Sequence, residues 1–240
     1  MCGRFSLSIP LERLREIFLS PGDPAPALPA EPVLRPPRYN ICPTQHIPVI
    51  RREKGNGRRS LAFLHWGLVP SWARDRAIGA RLINARAETV GEKPAFRAAF
   101  RRRRCLVPSD GFFEWKKRSR GGKTPWLIRF RDRRVFAFAG LWERWEGGEG
   151  PPLESCTILT TRPNPLVKKI HNRMPVILDE GNHDAWMDPE REKGEDIETF
   201  LEPYPDGAMT AFPVDPKVNL PGNDLPECIE PADPGPSLFG

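Results

Sequence analysis

From residue 47 to residue 178 the chain carries a closely spaced series of short apolar or alternating segments, several of them separated by basic, glycine-containing turns. Few long helices are indicated among them. The pattern therefore predicts one β-rich α+β domain with a curved, barrel-like mixed sheet and short flanking helices, although periodicity alone does not establish closure. The predicted strands are 47–52, 60–66, 111–116, 126–130, 135–141, 155–160 and 174–178, with a turn at 55–57 joining the first two.

Short helices are predicted at 9–19, 94–102, 165–170, 182–187 and 197–201. Ser8 is the expected cap of the first helix, and Pro10 fits its first turn. The 29 prolines concentrate at 21–37 and 203–236. Because proline removes a backbone donor and fixes φ, we predict a surface loop at 21–37. We also predict a domain spanning 1–213 and a Pro-rich, partly ordered tail at 214–240.

The charge balance favours an anionic partner. The formal net charge is +6 and the sequence pI is about 9.3. Basic residues cluster at 101–104, 116–120 and 129–134, and clustered arginine is typical of phosphate binding. The alternative is a soluble protein that is simply rich in arginine.

Several other classes of protein are disfavoured. The sequence contains no run of 18 apolar residues, so no membrane span is predicted, and no secretory signal is recognisable. The five cysteines are widely spread and form no C-x-x-C pair, so neither a disulfide framework nor a metal site is indicated. We expect a cytoplasmic protein without a cofactor.

The first residues supply a candidate nucleophile. If Met1 is removed, Cys2 carries a thiol and a free α-amine on adjacent carbons. The amine titrates near pH ~7.7–8 and the thiol near ~8.5, so both are partly reactive at neutral pH. This 1,2-aminothiol can condense with an aldehyde and close a thiazolidine ring. The alternative is that the chain begins Met-Cys by chance.

Two further segments could act on a sugar or a phosphate. Asn84 and Arg86 lie two apart and would share a face of an extended segment, the amide holding an amine or hydroxyl and the guanidinium a phosphate. Glu114 is bracketed by Phe113 and Trp115, and burial against these rings would raise its pKa and suit it to proton transfer. The alternatives are an ordinary polar strand edge and an outward-facing Glu114.

A third segment combines His171, a natural proton shuttle, with Arg173, which can contact a phosphate. The alternative is a structural or surface histidine. A fourth group comprises the segments 40–44 and 66–72, whose aromatic rings and prolines could stack on or wedge between unpaired bases. For Trp66 a position in the core is the favoured interpretation.

These segments form an ordered set of motifs. They are MCGRF at 1–5, YN followed by CPT at 39–44, WG followed by Pro at 66–70, INAR with Glu at 83–88, G-x-FEW at 111–115, LTT at 159–161 and H-x-RMP at 171–175. In this order and spacing the chain resembles the SOS-response-associated peptidase family, whose members act as abasic-site processing proteins. The resemblance runs from residue 1 to about 178 and on toward 213, whereas the 21–37 loop and the Pro-rich tail depart from it.

The resemblance implies a domain that binds single-stranded DNA containing abasic sites in a basic channel. We expect a monomer, without a metal and without a membrane. The resemblance also implies that Cys2 crosslinks to the aldehyde of the abasic site and that Asn84 lies beside the Cys2 amine. Glu114 would assist sugar-ring opening and imine formation, and His171 would be a second proton-transfer group linked to crosslink reversal. The implied contacts to the DNA backbone are Arg4, Arg86, Thr160 and Arg173, and the same site would be lined by Asn40, Pro43 and Trp115.

Two other functions stay open. One is a thiol peptidase with Cys2 as nucleophile and His171 as base, acting on its own N-terminus. Because Met1 directly precedes Cys2, a general methionine aminopeptidase would suffice to expose the amine, which weakens that reading. The other is a single-stranded DNA binder that performs no chemistry.

Overall fold

A computed structural model describes residues 2–24, 35–53, 57–119, 121–148, 150–191 and 195–232. Most of the predicted 21–37 loop and part of the predicted 55–57 turn lie outside these residues. The strands are β1 (Phe5–Leu7), β2 (Arg38–Ile41), β3 (His46–Arg52), β4 (Arg59–Trp66), β5 (Asn84–Arg86), β6 (Arg104–Ser109), β7 (Gly111–Lys117), β8 (Lys123–Phe130), β9 (Phe136–Trp145), β10 (Leu153–Thr161), β11 (Met174–Pro175), β12 (Ile177–Leu178) and β13 (Met209–Pro213).

The helices are short. The α-helices are α1 (Leu11–Phe18), α2 (Arg97–Arg102), α3 (Pro165–Lys168), α4 (His183–Met187) and α5 (Glu195–Glu198). Short 3₁₀ segments occur at Arg76–Arg81, Ala87–Thr89, Glu180–Asn182, Thr199–Leu201, Asp206–Ala208, Pro216–Asn219 and Pro226–Ile229. Among the described residues, no helix is both long and apolar enough to span a membrane.

A closed barrel forms the centre of the fold. Strands β4, β3, β6, β9 and β10 are hydrogen-bonded in that order, and β10 returns to β4. The β10–β4 contact is parallel and the others are antiparallel, so the barrel is mixed. Every barrel strand contributes apolar side chains to one core, among them Ile50, Leu61, Leu106, Phe138 and Ile158. The predicted β-rich α+β fold with a barrel-like mixed sheet is confirmed.

A second, open sheet has the order β13-β8-β7-β1-β2, and apolar clusters cover both sides of its central strand β7. Phe112 of β7 packs into the barrel core, whereas Phe113 packs in a separate cluster with Val218 and Cys228. Neighbouring residues of a strand point to opposite faces, so β7 is enclosed between the barrel and the C-terminal segment. The boundary predicted at residue 213 stays a prediction.

Most predicted elements occur, with shifted ends. The 9–19 helix is confirmed as α1, but the predicted cap is wrong, because Ser8 uses its backbone and side chain to bind Asp110. The strand predicted at 174–178 is divided into β11 and β12, which pair with different neighbours. Sequence reasoning did not find β1, β2 and β13.

Two glycines position the segment that leads into β5. A Cβ atom on Gly79 would lie 2.6 Å from the carbonyl oxygen of Gly67, and one on Gly67 would lie 2.7 Å from that of Gly79. The backbone N–H of Leu68 also donates to the carbonyl of Leu82 at 3.2 Å. This close backbone contact directs the following residues onto β10, where β5 continues the line of β4.

We predict that Gly79→Ala lowers the free energy of unfolding by about 1–3 kcal/mol, because the added methyl group meets backbone that cannot rotate away. Gly91→Ala is the matched control, since its Cβ would meet only ring atoms of Phe100 at 3.8 Å. Urea unfolding measures both. Equal stability of Gly79→Ala and the parent protein would show that the contact is not tight.

Candidate active site

The four predicted catalytic residues lie together where the open sheet meets the barrel. Cys2 precedes β1, Asn84 begins β5, Glu114 lies on β7 and His171 follows α3. Asn84 Nδ2 donates to the carbonyl oxygen of Cys2 at 2.8 Å. Glu114 Oε1 lies 3.6 Å from His171 Nδ1. The fold therefore assembles groups from four separate parts of the sequence.

Backbone pairing explains why Cys2 lies near Glu114. Phe5 is paired with Phe112, and the N–H of Phe113 donates to the carbonyl of Arg4 at 2.9 Å. Because antiparallel strands run in opposite directions, residues before Phe5 lie opposite residues after Phe112. Continuing this register toward the N-terminus brings Cys2 alongside the part of β7 that carries Glu114.

The Cys2 thiol is enclosed by the protein. Cys2 is 0% exposed, and its Sγ lies 4.0 Å from the carbonyl oxygen of Arg4. Burial raises the pKa of the Cys2 thiol far above its ordinary value, and the nearby charge of Glu114 raises it further. The thiol is therefore held in its protonated form at neutral pH.

Glu114 and His171 form a buried acid–base pair. Glu114 is 3% exposed, so the outward-facing alternative is wrong: the covered sheet leaves no solvent on that face. Burial raises the pKa of Glu114 to about 7 and lowers that of His171. His171 Nδ1 lies 3.1 Å from the backbone N of Arg173 and 3.2 Å from its carbonyl oxygen, so it accepts from the N–H in one tautomer and donates to the carbonyl in the other. The pair thus favours a neutral acid beside a neutral imidazole.

Asn84 presents its two amide atoms differently. The donor Nδ2 is bound to Cys2, whereas Oδ1 is buried and has no hydrogen-bond partner among the described residues. A buried acceptor of this kind is suited to a donor that arrives with a ligand or appears after processing. A free amine on Cys2 would be such a donor.

A second group surrounds Arg4. Its Nη1 donates to Asn40 Oδ1 at 2.8 Å and to the carbonyl of Val218 at 2.5 Å, and its guanidinium lies 5.6 Å from the centre of the Trp115 ring. Trp115 Nε1 donates to Asn219 Oδ1 at 2.7 Å. The 3₁₀ turn at Pro216–Asn219 therefore holds two predicted DNA-contacting side chains in place.

Asn40 is fully buried and supports this group. Its Nδ2 lies within hydrogen-bond distance of the carbonyls of Val218, Leu220 and Asn223, at 3.2, 3.2 and 2.6 Å. Asp224 in turn accepts from the backbone N–H groups of the β2 residues Tyr39 and Asn40. Direct contact of Asn40 with DNA stays a prediction.

The remaining predicted DNA contacts vary in exposure. Arg86 is exposed on β5, Pro43 is partly exposed in the turn before β3, and Thr160 is fully buried on β10. Arg173 donates to the Thr160 carbonyl and to Glu88. Their roles on DNA stay predictions. Trp66 is fully buried with Nε1 bound to the carbonyl of Ile83, so its core position is confirmed.

Three features of the site were missed by sequence reasoning. Lys123 on β8 lies close enough for its charge to lower the pKa of both Glu114 and His171. Glu88 accepts hydrogen bonds from Arg173. It follows the INAR residues by two positions, and this was the only sequence feature that pointed to it. Asn219 belongs to the Pro-rich tail and gave no signal at all.

No group of three or more His, Cys, Asp or Glu side chains suited to a metal ion occurs in the described part of the chain.

Comparisons with known proteins agree with these motifs. The chain matches the family model "SOS response associated peptidase (SRAP)" over residues 1–221. It is 42% identical over 235 residues to abasic site processing protein YoqW of Bacillus subtilis, covering 96% of this chain and 99% of that protein. Abasic site processing protein HMCES of Rattus norvegicus is 29% identical over 272 residues, covering 97% of this chain and 76% of that protein.

A solved structure is similar over nearly the whole fold. The crystal structure of a protein from Bacteroides thetaiotaomicron has a TM-score of 0.83 at 26% sequence identity. The match covers 96% of this chain and 100% of that one.

Glu114→Gln tests the buried carboxyl. The folded-state pKa is about 7 against an ordinary 4.5, so the folded protein binds this proton more tightly than the unfolded chain does. Its stabilising contribution is complete below pH ~4.5 and is lost as the pH rises through ~7. From pH 5 to 8, we expect the unfolding free energy of the parent protein to fall by about 2 kcal/mol relative to that of the variant.

Denaturant unfolding at several pH values measures this difference. Glu12→Gln, on the exposed surface of α1, is the matched control because it makes the same chemical change without burial. A stability difference between parent and Glu114→Gln that is constant with pH would contradict the raised pKa.

Proposed function

Because the chain belongs to the SOS response associated peptidase family, we propose that it processes abasic sites in single-stranded DNA by forming a covalent thiazolidine crosslink through Cys2 after removal of Met1. One observation carries the proposal. The residue that would bear the aminothiol lies beside an amide, a carboxyl group of raised pKa and a neutral imidazole. These are the groups that an aldehyde condensation requires.

The first chemical task is to open the sugar. An abasic site is mostly a closed hemiacetal, which carries no aldehyde. With a pKa of about 7, Glu114 is present in both protonation states at neutral pH. Its acid form can protonate the ring oxygen as the anomeric hydroxyl loses its proton, which breaks the C–O bond and frees the aldehyde.

The amine then acts before the sulfur. Because the Cys2 thiol is buried and its pKa is raised, thiolate is scarce, whereas a terminal amine is partly neutral near pH ~7.7–8. The amine adds to the aldehyde and water leaves, which gives an imine. The thiol next adds to the imine carbon, and its proton passes to the nitrogen with Glu114 as the relay. Asn84 Oδ1 is available to orient the amine.

Binding must hold the lesion against Cys2. Exposed Arg86, Lys123 and the Arg4–Trp115 group surround the site with cationic and aromatic side chains. Holding phosphates on these groups would convert a bimolecular condensation into an effectively intramolecular one. Phosphate contacts and ring stacking carry little sequence information, so we expect lesion recognition without base-sequence preference.

The geometry supports crosslinking over thiol proteolysis. A peptidase requires a thiolate beside a histidine that accepts its proton. Here the thiol pKa is raised, and His171 Nδ1 lies near Glu114 and the backbone of Arg173. Peptidase activity and passive binding are therefore outcomes of the test below.

The test mixes protein whose N-terminus is verified by mass spectrometry as Cys2 with single-stranded DNA carrying one abasic site. We expect a slower band on a denaturing gel from the processed parent protein. Cys2→Ala should abolish it, because an N-terminal alanine keeps the α-amine but has no sulfur to close the ring. Protein that retains Met1 should also give no band, since its Cys2 nitrogen is an amide.

Cys156→Ala is the matched control, because Cys156 is also 0% exposed but lies on barrel strand β10. It should crosslink like the parent protein. Absence of a band from correctly processed parent protein would refute crosslinking. Retained binding would then favour the passive binder, and release of an N-terminal peptide from a longer precursor would favour the peptidase.

A further inference from the structure

Arg173 is already occupied in the DNA-free protein. Its Nη1 and Nη2 donate to Glu88 Oε1 and Oε2 at 2.6 and 2.9 Å, a two-pronged contact between guanidinium and carboxylate. Nη2 also donates to the carbonyl of Thr160 at 2.5 Å. Glu88 thus takes the edge of Arg173 that carries both terminal nitrogens.

A phosphate would use the same edge. Guanidinium binds carboxylate and phosphate with the same pair of parallel N–H donors. Two anions cannot share that pair without repulsion. If Arg173 grips DNA, the carboxylate of Glu88 must first leave it.

The structure makes Glu88 the partner that can move. The Glu88 side chain is 50% exposed and that of Arg173 only 15%. A cavity of about 580 Å³, lined partly by Glu88, Val90 and Leu201, borders the carboxylate and gives it room. Because the Glu88 side chain is half-exposed, water can replace its contacts as it leaves, and a phosphate can take its place on Arg173.

Arg173 keeps other supports when Glu88 leaves. Its Nη2 remains bound to the Thr160 carbonyl, and its backbone N–H remains bound to His171 Nδ1. The hydrogen bond from Arg173 lowers the pKa of Glu88, so the carboxylate is charged at neutral pH. Glu88 is thus a charged competitor for the guanidinium of Arg173. The position of Arg173 does not depend on Glu88 alone.

We propose that Glu88 competes with a DNA phosphate for Arg173 and thereby limits the affinity of the site for DNA backbone. The inference rests on the proposed function only in taking DNA as the ligand. Glu88 would be a residue that sets binding strength, and it would take no part in the chemistry at Cys2.

The test measures non-covalent binding in a Cys2→Ala background, by fluorescence anisotropy with abasic and intact single-stranded oligonucleotides. We expect Glu88→Gln to tighten binding of both by about three- to tenfold, because the neutral amide competes poorly for guanidinium. The slope of log K against log salt should stay close to that of the parent protein, because Arg173 contacts the same phosphate in both complexes once Glu88 has left.

Two comparisons isolate the competition. Glu92→Gln removes an exposed carboxylate from the same cavity and should have a smaller effect. In an Arg173→Ala background, Glu88→Gln should give no gain. Weaker binding by Glu88→Gln would show that Glu88 only positions Arg173 and would overturn the proposal. A gain that persists without Arg173, or that Glu92→Gln equals, would overturn it in favour of long-range charge.

These outcomes are independent of crosslinking. Binding is measured without the Cys2 sulfur, so failure of the thiazolidine chemistry leaves the Glu88 result interpretable. Conversely, a crosslink formed by the parent protein does not depend on which anion Arg173 prefers.

Discussion

The enclosure of β7 on both faces is the constraint on which the site depends. Phe112 packs toward the barrel and Phe113 toward the C-terminal segment. Glu114, which comes next in β7, therefore lies on a strand that is covered on both sides. A carboxyl group in such a place resists ionisation. The same strand pairs with β1 and so draws the N-terminal cysteine to it. Burial and nucleophile placement thus arise from one element.

This enclosure also divides the labour among the titratable groups. Burial disfavours the charged form of each group. It therefore raises the pKa of Glu114, lowers that of His171 and keeps the Cys2 thiol protonated. Charge is supplied from outside the enclosure by cationic side chains such as Arg86 and Lys123. An enclosed centre that disfavours charge, bordered by cationic side chains, would suit the substrate of the proposed function, a neutral aldehyde within a polyanion.

Elements that depend on interactions between residues close in sequence could be predicted, whereas those that depend on contacts between distant residues could not. Alternation and turn chemistry are local, so β3, β4 and β7 to β10 could be predicted from the sequence. The three-residue β1 and the Pro-ending β13 lack a local pattern and exist because neighbouring strands accept them. The barrel's closure depends on a parallel contact between β4 and β10, about 90 residues apart, which no local pattern encodes.

The candidate site divides in the same way. Its reactive side chains were recognisable because unusual residue types stood in ordered motifs. Their supports were not: Asn219 and Asp224 lie in a segment whose proline content indicated only a tail. Whether Glu114 faced solvent or protein depended on how β7 packs against the barrel, so composition could not decide it.

The hydrogen bond from Arg4 to the Val218 carbonyl joins residues 214 positions apart. During synthesis the amino end therefore emerges long before the segment that will clamp it is made. Removal of Met1, which the proposed function requires, would therefore take place before the site has formed, while Cys2 is still accessible. Under the proposed function, exposure of the Cys2 amine and assembly of its surroundings would thus be separated in time, and Cys2 would be enclosed only when the last part of the domain docks.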